Sequence, residues 1–108
     1  MSGTMHATDR RYALVRLAPG DWLWMSDDRR RLYRLVRHPD GSWLMEDWPS
    51  GKPTWAAWEY RGDVHDLAGV EIEDWDQWDL YAAGYATRRD ALAAAIAREA
   101  RSGSRPGT

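Results

Sequence analysis

The segment Thr87-Arg-Arg-Asp-Ala-Leu-Ala-Ala-Ala-Ile-Ala-Arg-Glu-Ala-Arg101 constrains this chain more than any other. Alanine is the best helix former, and Thr87 followed three residues later by Asp90 is the acidic variant of a capping box. The spacing predicts a helix over 88–101. Its apolar stripe is Ala91, Leu92, Ala95 and Ile96, which is thin. A helix with so little bulk must lie close on something flat that supplies large side chains, and a β-sheet rich in aromatics fits.

The residues upstream read as that sheet. Segment 11–17 carries β-branched and aromatic content and is punctuated by Pro19-Gly20. Segment 21–25 (DWLWM) alternates, with Trp22 and Trp24 on one side and Leu23 on the other. Segment 32–37 (LYRLVR) is followed by His38-Pro-Asp-Gly-Ser42, a turn whose residue chemistry predicts a hairpin returning along 42–48 (SWLMEDW). A second turn at 49–53 leads to 54–60 (TWAAWEY). Trp55 and Trp58 there have helical spacing, but the segment is short and follows a proline turn, which favours a strand. Residues 61–75 read as a loop with a short strand at 70–72. Residues 76–82 read as the last strand, broken by Gly84. The expected fold is α+β: a small antiparallel meander of about four to six strands with one C-terminal helix packed on one face. At 108 residues the chain fits one domain, placed at 11–101, with a disordered lead at 1–10 and a flexible tail at 102–108.

Composition then narrows function. There is no Cys, which excludes disulfides, cysteine nucleophiles and Cys-ligated metal, and suits a cytoplasmic protein. No stretch reaches the length of a membrane-spanning helix, and no signal-peptide core is present. Fourteen Arg against one Lys, with fifteen Ala, fits a GC-rich coding sequence of a bacterium, plasmid or phage. Eight Trp and no Phe are harder to assign to coding pressure, because Phe would fill the same core volume.

Charge is segregated. Residues 1–39 carry net +4, residues 40–79 net −9, and residues 80–108 net +3. The acidic third also holds Trp43, Trp48, Trp55, Trp58, Trp75 and Trp78. Not all these indoles fit one modest core with their N–H groups satisfied, and exposed aromatics mark interfaces. They are the candidate protein-interface residues. The reading favoured by the sequence is a non-enzymatic interaction protein, binding a protein partner or a second copy of itself through a Trp-rich, acidic sheet face.

The alternative is a nucleic-acid module. It would use Arg29, Arg30, Arg31, Tyr33, Arg34 and Arg37 on the 29–37 hairpin, joined by Arg88 and Arg89 at the helix start. Basic and aromatic side chains on a sheet can bind phosphates and stack bases. On the strand, Arg34 shares a face with Arg30, and Arg31, Tyr33 and Arg37 share the other. An enzyme ranks third, centred on His65 between Asp63 and Asp66, but no nucleophile or catalytic motif accompanies it. The acidic run 63–79 matches no metal loop, so neither metal nor cofactor is expected.

Overall fold

The computed structural model describes residues 13–26, 31–62, 70 and 72–103. Its strands are β1 (Ala13–Ala18), β2 (Asp21–Met25), β3 (Leu32–His38), β4 (Thr54–Tyr60) and β5 (Trp78–Tyr85), followed by the helix α1 (Arg88–Gly103). The five strands form one antiparallel sheet in sequential order, and α1 packs against β3, β4 and β5. This is the expected α+β meander with its C-terminal helix. The expectations for 1–10 and for the end of the tail lie outside the described residues. No helix among the described residues is long and apolar enough to cross a membrane.

The helix starts where its cap predicts. Thr87 Oγ1 accepts from the Asp90 amide at 3.1 Å, satisfying one of the otherwise unpaired first-turn donors. Ala91 and Ala95 are fully buried and Leu92 nearly so. They meet Leu14, Trp24, Tyr33, Leu35 and Ala57 from the sheet, with Trp22, Trp55, Tyr81, Tyr85 and Ile96 around them. The small helix residues are thus matched by large sheet residues, and Trp24 stacks on Tyr33 at 5.3 Å. The C-terminal half of the helix is tied down by charge. Glu59 accepts from Arg98 at 2.9 Å and from Arg31 at 3.0 Å, while Glu99 accepts from the Tyr33 hydroxyl at 2.8 Å.

The opposite sheet face is covered as well. Leu23, Leu32 and Trp78 form a second cluster, flanked by Val15, Met25, Trp58, Tyr60, Val70 and Ile72. Val70 and Ile72, from the chain between β4 and β5, supply part of that cover.

Four local expectations need correction. First, 42–48 is not a returning strand. Strand β3 pairs with β4 in the register Tyr33↔Glu59 to His38↔Thr54, so its edge is already taken. Segment 42–48 belongs instead to a long connection built around Asp40. The Asp40 carboxylate accepts from the Ser42 amide, the Ser42 hydroxyl and the Gly51 amide at 2.8–2.9 Å. These bonds hold its pKa below the ordinary value, the Ser42 amide contributing most. The chain turns through a 3-10 segment, Gly41–Trp43. A Cβ at Gly41 would come within 2.7 Å of Thr54 Cγ2 and Trp48 Cδ1, which explains glycine there. Second, Gly84 does not end β5. It has φ +94° and sits in a β-bulge opposite Trp55/Ala56, after which the strand continues to Tyr85. Third, β5 begins at Trp78, because Trp75–Gln77 is a 3-10 turn capped by Asp74. Fourth, a short strand centred on residue 71 is not formed by its described neighbours, and residue 71 itself lies outside the described residues.

Candidate binding surfaces

On the helix-free face, Arg34 is the organising residue. Its guanidinium donates to both Asp21 carboxylate oxygens, at 2.9 and 2.8 Å, and to the Ile72 carbonyl at 2.7 Å. It also lies 4.1 Å from the Trp75 ring centre and 5.3 Å from that of Trp78. One buried cation therefore pins the segment before β5 onto the sheet, through a carbonyl and through an indole.

From Trp75 an aromatic row runs across the sheet. Trp75 meets Trp58 at 4.8 Å. Trp58 donates its Nε1–H to His38 Nε2 at 3.3 Å. His38 meets Trp43 edge-on at 5.2 Å. The hydrogen bond requires Nε2 to be the unprotonated nitrogen, so the neutral ring carries its proton on Nδ1. Burial pushes the His38 pKa down; nearby Asp21 opposes this and Arg34 reinforces it. Trp43 ends the row and is 64% exposed, while Trp75 is 39% exposed. Glu46 and Asp47 follow Trp43 in the chain, and Glu73, Asp74 and Asp76 flank Trp75; all five are exposed.

On the helix side, two adjoining clefts open at the end of the sheet where α1 begins. One, of about 350 Å³, is lined by Arg37, Trp48, Lys52, Trp55 and Tyr85 among others. The second, of about 410 Å³, is lined by Arg16, Trp22, Trp55, Arg88 and Arg89 among others. Trp55 lines both and so stands between them. Among the described residues, no carboxylate lines either cleft. Arg88 lies over Trp22 at 4.2 Å and Lys52 over Trp48 at 4.9 Å. The β1–β2 turn shapes the second cleft: Gly20, at φ +76°, accepts from the Arg37 amide at 2.8 Å. The bulge at Gly84 shapes the first, since a side chain there would crowd Met45 and approach Trp48.

The structure divides the sequence candidates in an order the chain does not suggest. Trp43, Trp58, Trp75 and Trp78 gather on the helix-free face, with Trp78 nearly fully buried. Trp48 and Trp55 go to the clefts on the other side. Of the basic hairpin, Arg31 is engaged with Glu59 and Glu99, Tyr33 is fully buried, and Arg34 is buried on the opposite face from Tyr33. Tyr33 therefore has no ring face open to a base. Arg37, Arg88 and Arg89 meet at the clefts, where they are joined by Arg16 and Lys52. Those two had no distinguishing signal in the sequence; the pairing of Arg16 with Trp22 across β1 and β2 brings Arg16 there. His38, read as a turn residue, is a buried member of the aromatic row. Arg29, Arg30, Asp63, His65 and Asp66 lie outside the described residues. No family model matches the chain, and no curated protein or solved structure matches it.

Proposed function

We propose that this chain is a small non-enzymatic binding domain that docks a protein partner on its helix-free face. The observation that carries the reading is the preorganised row Trp43–His38–Trp58–Trp75, which ends in two exposed indoles. Rigid aromatics lose little conformational freedom on binding, and tryptophan is enriched at interface centres. The exposed carboxylates next to Trp43 and Trp75 in the chain favour a partner that brings arginine or lysine. A second copy of this chain is the first such partner to test, since it carries exposed arginines of its own.

The experiment is sedimentation of the wild-type protein and of Trp43→Ala over a wide concentration range, with capture of a partner by each from a cell extract. A mass that rises with concentration in the wild type and stays monomeric in Trp43→Ala identifies self-association. A partner retained by the wild type and lost by Trp43→Ala identifies a separate protein. If Trp43→Ala, and then Trp43→Ala with Trp75→Ala, behave as the wild type in both assays, the helix-free face is not the docking surface.

A further inference from the structure

The helix-side clefts combine features that the proposed partner site does not use. Five cations, Arg16, Arg37, Lys52, Arg88 and Arg89, converge from β1, β3, the β3–β4 connection and the start of α1. Among the described residues, no carboxylate pairs with Arg16, Arg37, Lys52 or Arg89. Charges of one sign brought together without counter-charge destabilise a fold slightly and attract an anion strongly. In a protein whose acids outnumber its bases, 17 to 15, such a concentration is a local property of the fold.

The aromatic content narrows the anion. Trp22, Trp48, Trp55 and Tyr85 line the two clefts together with the cations. An acidic peptide or a free phosphate would use the charges and leave the rings idle. A nucleotide uses both, its phosphate meeting guanidinium and its base meeting an indole. The first cleft, at about 350 Å³, lies at the small end of ligand-sized cavities, about 300–1,000 Å³, and the second, at about 410 Å³, is a shallow, open depression. Because Trp55 stands between them, two nucleotides of one strand can occupy neighbouring clefts with that indole as the shared wall. A duplex cannot place its bases so, since they are stacked and paired within the helix.

We propose that the paired clefts around Trp55 bind single-stranded nucleic acid, with Arg16, Arg37, Lys52, Arg88 and Arg89 holding phosphates beside the rings of Trp22, Trp48 and Trp55. This site shares Arg37, Arg88 and Arg89 with the hairpin surface expected from sequence, but it lies elsewhere and does not involve Tyr33 or Arg34. It is independent of the helix-free face.

The test is binding of the full chain to a fluorescent oligothymidine of about ten nucleotides, within the site sizes of small single-strand-binding folds. It is followed by anisotropy and by quenching of the intrinsic tryptophan emission. With about four phosphate contacts, affinity is expected to fall about 50-fold when salt rises from about 50 to about 200 mM. Arg37→Glu with Arg89→Glu changes two exposed side chains and leaves the core alone. This double variant is expected to bind at least about tenfold more weakly, as befits loss of two phosphate contacts, with unchanged thermal unfolding. Trp43→Ala, altered on the opposite face, is expected to bind as the wild type, so failure here is distinct from failure of the partner site. Absence of binding at low salt overturns the proposal. So does a double variant that binds as tightly as the wild type, a duplex of equal length that binds as well as the single strand, or a poly-glutamate peptide that binds where the oligonucleotide does not.

Discussion

Arg34 illustrates how one residue fixes both structure and surface. Its side chain is 5% exposed and its partner Asp21 19%. A buried pair of this kind contributes little relative to an apolar replacement, but removing one member strands the other charge. Asp21→Ala is expected to cost about 3 kcal/mol, at the lower end for such pairs because Asp21 keeps some solvent. Denaturant unfolding measures it, and adding Arg34→Met should recover part of the loss. The Arg61–Asp79 pair is the contrast. It is as short, at 2.6 Å, yet both side chains are more than half exposed, so water screens it and its loss should matter little. His38 gives a pH signature. Burial lowers its folded pKa below the ordinary ~6.5 of the unfolded chain, so the unfolded state takes up the proton first. The sign follows: His38 opposes folding only as pH falls below about 6.5, and above that value its penalty is absent. Replacing His38 with Gln should therefore flatten the fall of unfolding free energy between about pH 7 and pH 5, and the His38 ring should titrate by NMR below the usual histidine range.

At the scale of elements, the helix was legible because its signals are local. A cap, a run of alanines and a stripe are all written within fifteen residues, and the structure keeps each of them. Its thinness has a consequence. Ala95 is fully buried against a sheet already filled by Trp24 and Tyr33. Ala95→Leu, although a better match to an ordinary helix stripe, is expected to destabilise the protein by about 1–3 kcal/mol through overpacking, as read by thermal or denaturant unfolding. The strand at 54–60 was also legible, despite the helical spacing of Trp55 and Trp58, because a proline turn precedes it and its length suits a strand. The segment 42–48 was not. Its turn residues, Pro39, Asp40 and Gly41, do make a turn, but that turn feeds a loop closed by Asp40 and Gly51. Only competition for the edge of β3, won by β4, decides this, and competition between distant segments leaves no local mark. The bulge at Gly84 was hidden for the same reason. A glycine inside a strand pattern signals either an end or a bulge, and the pairing partner chooses.

For the whole molecule, the charge segregated along the chain is only partly segregated in space: Glu59 sits with Arg31 and Arg98 on the helix side, and Arg34 lies on the other face. The basic ends meet, since β1, β3 and the start of α1 converge on the clefts. Glu73, Asp74 and Asp76, from the acidic middle, are exposed beside Trp75, which lies on the other face. The chain alone carries the class of fold, the helix and its cap, and most of the strand segments, because periodicity, turn chemistry and capping act over a few residues. It also announced an excess of tryptophan that a core of this size does not absorb. Which tryptophans share a face, that Tyr33 and Arg34 are interior while Arg16 and Lys52 line clefts, and that His38 joins the indoles were settled by long-range packing. Those outcomes depend on strand register and on the bulge at Gly84. Register is fixed by packing between segments tens of residues apart, and shifting it by one residue would exchange the two faces.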